Sequence, residues 1–227
     1  RWLSRNPVDY VIVCSPNYLH DAHCLMAMRN GCGVICEKPL TLYERNLDNL
    51  AMWEQRTGKR VNVILQCRLH PEAVAAREAY QDSSALWIDV DYRTPRGPWY
   101  LRSWKGELEK SGGIVTNIGI HLFDLCVWLG GGLRDEFLIS TTTRVGEVEA
   151  SGTVELKQAM VNWRLSVNGA PPARAFKCSD GLRSMAIDLS GGFTDLHTRS
   201  YQEILAGRGF GIEDIRPATR LVERIRQ

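Results

Sequence analysis

No stretch of this 227-residue chain stays apolar for the length of a membrane crossing, so no spanning helix is expected. A surplus of charge is missing too. Basic residues number 28 against 26 acidic, a balance that points to neither a nucleic acid nor a membrane surface as partner. The seven cysteines (Cys14, Cys24, Cys32, Cys36, Cys67, Cys126 and Cys178) include no Cys-x-x-Cys pair, and their number is odd. Most sit in apolar stretches, where cysteine behaves as a small hydrophobe. Cys32 and Cys36 have no histidine after them at ligand spacing, so no metal site is expected, and a reducing cytoplasm is the natural setting. Arg1 to Pro7 hold neither an initiating Met nor the apolar run of a signal peptide, from which the expectation is that the sequence has lost its beginning. The most consequential absence is a Gly-x-Gly-x-x-Gly turn behind a strand. Gly207-Arg208-Gly209-Phe210-Gly211 is rich enough in glycine but follows a helical segment, so it reads as a helix end and a turn.

What is present has the composition of a soluble globular chain, 44% hydrophobic and 24% charged. Val8 to Cys14 is β-branched and almost continuously apolar, as a buried parallel strand would be. Ser15-Pro16-Asn17 breaks it, and a helix is expected from about Leu19 to Asn30, with Gly31 at its C-terminus. A short strand at 34–36 follows. Thr41-Leu42-Tyr43-Glu44 then has the spacing of a capping box for a helix that Gly58 ends, before a strand at 61–66. This alternation predicts a parallel sheet covered by helices, the second half of a doubly wound fold.

Beyond His70-Pro71 the rhythm changes. A helix over about 72–82, an alternating strand at 86–92 and one long helix from Gly113 to Leu129 are expected. Strand-like runs follow at 137–144, 150–156, 160–167 and 185–189, then helices near 195–206 and 212–225. Consecutive strands without helices between them predict an antiparallel sheet with one open face.

Three groups of residues have chemical potential. At the first strand end, Asn17 is either a plain helix cap or a group that leaves free amides toward an anion or ribose. At the next strand end stands Glu37-Lys38-Pro39. A partly desolvated Lys38 could polarise or deprotonate a substrate hydroxyl, although surface snorkelling is the commoner fate of lysines. Third, Asn117, His121 and Asp124 fall on one stripe of a helix that is otherwise apolar nearly all round. Such a stripe is satisfied by a protein network or by a ligand. Between these groups, Tyr92 to Gly106 interleaves four aromatics with four cations in a stretch too rich in Pro and Gly for regular structure. That mixture suits an anionic ligand with a flat ring; a packing loop or subunit contact is the bland alternative.

Taken together these segments resemble the glucose–fructose oxidoreductase/inositol dehydrogenase (Gfo/Idh/MocA) family. Within it they are most similar to the bacterial UDP-N-acetylglucosaminuronic acid 3-dehydrogenases of O-antigen sugar biosynthesis. The stretches that carry the resemblance are Cys-Ser-Pro-Asn-Tyr-Leu-His (14–20), Val-Ile-Cys-Glu-Lys-Pro-Leu (34–40), Asn-Val-Ile-Leu-Gln (62–66) and the 96–106 loop with its Trp-Tyr-Leu-x-Ser-Trp-Lys-Gly pattern. Thr-Asn-Ile-Gly-Ile-His-Leu-Phe-Asp (116–124), Gly-Phe-Thr-Asp-Leu-His-Thr (192–198) and Glu-Ile-Leu-Ala-Gly-Arg-Gly-Phe-Gly-Ile (203–212) continue it.

The resemblance implies an α/β chain: the C-terminal half of a Rossmann-type parallel sheet in residues 1–70, then a mostly antiparallel, open-faced sheet with flanking helices in 71–227. It implies NAD as cofactor, with Ser15, Pro16, Asn17, His20, Glu37, Lys38 and Gln66 on the cofactor side. Lys38 and His121 match the catalytic lysine and histidine. Arg96, Trp99, Tyr100, Trp104, Lys105 and Asn117 join those two around a UDP-linked acidic amino sugar, oxidised at its 3-hydroxyl. A homo-oligomer, by resemblance a tetramer, is implied as well. Many members have Asp where this chain has Asn117, which removes a carboxylate from beside His121. Without a first strand beside Val8–Cys14, an exposed apolar edge and weak or absent NAD binding are expected. The alternative is a non-catalytic sugar-nucleotide-binding or assembly protein derived from such an enzyme.

Overall fold

The computed structural model describes residues 2–6, 8–134, 144–168, 171–191 and 193–227. Strands β1 (Tyr10–Val13), β2 (Gly33–Cys36) and β3 (Val61–Val63) form a three-stranded parallel sheet in that order. The crossovers are α1 (His20–Arg29) and α2 (Glu44–Thr57), which bury Cys24, Ala27, Met28, Leu47 and Leu50 in the core with Val34 and Cys36. On the opposite side Ile35 and Ile64 pack against Ile204 and Tyr201 from near the C-terminus. Cover on both faces explains why β2 is buried at every position and why its sequence does not alternate. Among the described residues β1 pairs on one side only, and Tyr10 and Ile12 on it are exposed.

After α3 (Pro71–Ala79) comes the second sheet, of six strands. Strand β4 (Leu86–Arg93) lies near its middle. The others are β5 (Arg144–Val145), β6 (Glu149–Glu155), β7 (Ala159–Ser166), β8 (Ala173–Ser179) and β9 (Ser184–Asp188), in the order β5-β6-β7-β4-β8-β9. Every neighbouring pair is antiparallel except β4 and β7. Along β4 the alternation is plain: Leu86, Ile88 and Val90 are buried while Trp87 and Asp89 face out. The inner face meets the helices between β4 and β5, where the Phe123 and Trp163 rings meet edge to face at 5.2 Å. The outer face is open, as the sequence pattern predicts.

Several expectations need correction. The helix expected over 113–129 is two helices, α6 (Gly113–Asn117) and α7 (Ile120–Leu129), bent at Ile118-Gly119. A side chain on Gly119 would lie 2.4 Å from the Val115 carbonyl oxygen and 2.8 Å from Leu165 of β7, so this glycine lets the bend press against the sheet. The 92–106 stretch is not irregular throughout: it holds α4 (Trp99–Arg102) and a 3₁₀ turn over 104–106, and is followed by α5 (Leu108–Ser111). The capping box is absent. Thr41 Oγ1 donates to the Tyr43 carbonyl, and the first amide of α2, Glu44 N–H, donates instead to the distant Glu223 carboxylate at 2.7 Å, while Gly58 ends the helix in the left-handed conformation. Strand β3 stops at Val63, which leaves Gln66 in a 3₁₀ turn. Strand β8 had no counterpart in the sequence reading, and most of the run at 137–144 lies outside the described residues.

The last two helices, α8 (Phe193–Leu205) and α9 (Ile212–Arg226), fall where their periodicity places them. The glycine cluster between them is a turn, from which Phe210 accepts a backbone hydrogen bond from Val63 on the edge of the first sheet. Among the described residues no single helix is long and apolar enough to cross a membrane.

Candidate active site

The first sheet ends where the α6–α7 bend begins. The Glu37 amide donates to the Val13 carbonyl, extending the parallel ladder one residue beyond β2 and launching Lys38 from the strand end. Helix α6 terminates at Asn117, so its carbonyl has no partner in the next helical turn. Lys38 Nζ donates to that oxygen at 2.9 Å. His121 sits in the first turn of α7, and its buried Nδ1 has no partner among the described residues. A cleft of about 260 Å³ joins the two, lined also by Gln66, Tyr92, Arg96, Ile118, Arg174 and His197.

Burial and the neighbouring charges set the protonation of this pair. Desolvation pulls Lys38 down to about 8; Glu37 and Cys67 oppose that pull, while Arg96 and Lys105 add to it. Burial holds His121 well below the ordinary histidine value, helped by the positive charge of Lys38 and His197. Near neutral pH the imidazole is therefore uncharged, and the lysine lies within reach of losing its proton.

The polar stripe of the apolar helix divides at the bend. Asn117 lines the cleft too, but its side chain is held by protein: its Nδ2 donates to Tyr100 Oη at 2.8 Å, and its Oδ1 accepts from Asn17 Nδ2 at 3.3 Å. Asn17 is buried and donates to the Ser111 carbonyl at 2.8 Å. It caps nothing, since neither the 3₁₀ turn it opens nor α1 has a side-chain cap. Tyr100 is only 2% exposed, and burial raises its hydroxyl pKa. Asp124 faces away from the cleft and pairs with Arg68, whose Nη2 and Nε lie 2.7 and 3.0 Å from its carboxylate.

His20 joins the two strand ends. Its ring nitrogens lie 2.7 Å from the carbonyl oxygens of Ser15 and Pro39. Pro16 precedes the 3₁₀ turn, and the Ser15 hydroxyl meets His23 at 2.9 Å. Glu37 lies 3.6 Å from His197 Nδ1, and Gln66 Nε2 is 3.4 Å from the other ring nitrogen. Gln66 Oε1 is buried without a partner among the described residues.

The aromatic loop is only partly in the cleft. Arg96 lines it, whereas Trp99, Trp104 and Lys105 do not. Lys105 Nζ sits over the Trp99 and Trp104 rings at 4.9 and 5.6 Å, and borders a separate cavity of about 480 Å³ with Gly112 and Arg226. Four lining residues are outside the site expected from sequence: the apolar Ile118 at the bend, and Tyr92, His197 and Arg174. Tyr92 was read as a strand and loop aromatic, His197 lay unpaired within the 192–198 stretch, and Arg174 rides on the unforeseen β8. Only His197 had a legible signal, as a histidine on an amphipathic helix. Among the described residues no group of three or more His, Cys, Asp or Glu is placed to hold a metal.

The chain is similar to several known proteins. A family model described as "Oxidoreductase family, NAD-binding Rossmann fold" matches residues 2–65, and the "GFO/IDH/MocA C-terminal domain" matches residues 84–175. The crystal structure of the WlbA (WbpB) dehydrogenase from Thermus thermophilus, in complex with NAD and UDP-GlcNAcA, superposes with a TM-score of 0.89. It is 36% identical, and the match covers 100% of this chain and 76% of that one. A 2,7-anhydro-N-acetylneuraminate hydratase of Mediterraneibacter gnavus is 29% identical over 73% of this chain and 44% of its own length. A D-glucoside 3-dehydrogenase of Escherichia coli is 30% identical over 54% and 36%. The chain thus spans less than half the length of these two relatives. With the Rossmann-type strands, the following sheet and the match of this whole chain to 76% of the Thermus enzyme in agreement, the chain belongs to the Gfo/Idh/MocA oxidoreductase family.

Proposed function

We propose that this chain supplies the sugar-binding and proton-transfer residues of an NAD-dependent dehydrogenase. Its substrate would be UDP-N-acetylglucosaminuronic acid, oxidised at the 3-hydroxyl to the 3-keto sugar in O-antigen sugar biosynthesis. Residues 1–70 would face the cofactor and 71–227 the sugar. The observation that carries this reading is the meeting of Lys38 and His121 in one cleft, with the lysine drawn down to about 8. The substrate is suggested by the sugar nucleotide held in the Thermus neighbour.

The residues present fit the nicotinamide end of NAD. Gln66 offers a buried Oε1, unpartnered among the described residues, at the cleft, where an amide could donate to it, and Lys38 beyond the β2 end lines the same cleft. No glycine-rich turn behind a strand is available to cradle a diphosphate. When bound, the nicotinamide is the acceptor for the hydride leaving C3.

Lys38 is the base. Its pKa lies nearer the working pH than that of His121, which favours it for proton transfer. The neutral amine keeps one N–H on the Asn117 carbonyl, which aims its lone pair, and takes the hydroxyl proton. Neutral His121, with Nδ1 unpartnered, hydrogen-bonds the same oxygen and steadies it as it becomes a carbonyl.

The test is to mix the chain with NAD and UDP-N-acetylglucosaminuronic acid and follow nicotinamide absorbance and the 3-keto product. Reduction that disappears in Lys38→Met supports the reading. Tight sugar-nucleotide binding with no reduction would instead favour the non-catalytic alternative.

A further inference from the structure

The Lys38 cleft is short of negative charge. Lys38, Arg96 and Arg174 line it with the neutral His121 and with His197, and among the described residues no Asp or Glu is in the lining, although Glu37 lies behind it, 3.6 Å from His197 Nδ1. Among the cations of the cleft, Arg174 is the one whose guanidinium is held in place by neighbouring groups while keeping an edge for a ligand. It lies across the β4–β8 pair from Tyr92, and its guanidinium sits over that ring at 5.9 Å. Nη1 donates to the Ser190 carbonyl at 3.0 Å. Stacking and this one hydrogen bond anchor the group while leaving Nε–H and the Nη2 amine as a two-pronged edge. No carboxylate among the described residues pairs with it. Arg93, on the neighbouring strand, shows the contrast: both prongs of its guanidinium meet Asp91 at 2.9 Å.

At about 260 Å³, near the ~300 Å³ at which small-molecule pockets usually begin, the cleft has room for a sugar ring beside Lys38. On the sugar-nucleotide reading, the negative charge that would sit closest to Lys38 and Arg174 is the carboxylate of the sugar itself. The planar fork of an arginine matches a carboxylate with two parallel hydrogen bonds.

We infer that Arg174 recognises the carboxylate of the sugar acid and is the residue that sets the preference for acidic over neutral hexoses. The inference rests on the sugar-nucleotide reading above and names the residue that would read the acid. Arg174 is exposed on a strand, so substitutions there spare the core.

The experiment is calorimetric titration of the full chain, without NAD, with UDP-glucuronate and separately with UDP-glucose. The unaltered chain should bind the acid at least about tenfold more tightly, the worth of a charge-assisted pair. Arg174→Gln should erase that preference by weakening the acid about tenfold, with the neutral sugar changed less than about twofold. Arg174→Lys, which keeps the charge without the fork, should retain only part of it. Equal affinity of the unaltered chain for both sugars would overturn the inference, as would a full acid preference surviving in Arg174→Gln. Hydride transfer does not enter this readout, so the dehydrogenase reading stands or falls separately, on NAD reduction.

Discussion

Two cations flank the α6–α7 bend, Arg68 buried and Lys38 half-buried, and their surroundings differ. Arg68 meets the Asp124 carboxylate through two nitrogens, donates to the Asp214 carbonyl at 2.8 Å, and lies over the Trp128 and Phe210 rings. Lys38 meets one backbone carbonyl, and no carboxylate contacts it among the described residues. The first is fully compensated and ties the turn after β3 to α7 and α9. The second keeps an uncompensated charge beside an open cleft, at the cost of a lowered pKa. A satisfied buried ion holds a fold together; an unsatisfied one is available for chemistry.

The largest expected effects test that contrast directly. Lys38→Met should cost about 10³-fold or more in hydride transfer, measured as initial rate. It should also raise the unfolding free energy measured in urea, by on the order of 1 kcal/mol, because a penalised charge is removed. Arg68→Met should do the reverse, losing about 3–5 kcal/mol in urea unfolding because Asp124 is left buried and unpaired. If both variants lost stability alike, the contrast would fail.

Gly119→Ala comes next. With no room between the Val115 carbonyl and Leu165, the bend must shift, costing about 1–3 kcal/mol and turning His121 out of register with Lys38. A loss of rate beyond the loss of folded protein would show that the bend aims the histidine.

Smaller still are the pH effects. Because Lys38 must be neutral to accept a proton, the rate should climb as pH rises through about 8 and then level off; a falling limb there would reassign the base. The stability sign follows from the same shift. The folded pKa lies below the unfolded 10.5, so the unfolded chain binds more protons between about 8 and 10.5, and this group's contribution to stability rises with pH across that window. Lys105→Ala removes a neighbour that lowers Lys38, and should move the rate limb slightly to higher pH with less than about a threefold change in maximal rate.

Much of the fold was legible because periodicity is a local property. The β1, β2 and β3 segments, with helices between, announced a parallel sheet, and the alternation of 86–92 announced a one-sided strand. The bend at Gly119 was not legible, since a lone glycine in an apolar helix reads as a tolerated interruption until something presses against it. Strand β8 was missed because Ala173-Arg174-Ala175-Phe176-Lys177 alternates weakly and contains no β-branched residue. With β8 went Arg174.

The sequence by itself determined which polar groups sit in apolar company: Lys38 at a strand end, and Asn117, His121 and Asp124 among leucines and isoleucines. Only the tertiary structure decided what each would meet. Asn117 finds Asn17 from 100 residues away and Tyr100 from 17, while Asp124 finds Arg68 from 56. Lys38 reaches Asn117 across 79. The need to satisfy a buried polar group is written in the residue and its neighbours; the identity of its partner depends on distances that only the folded chain sets.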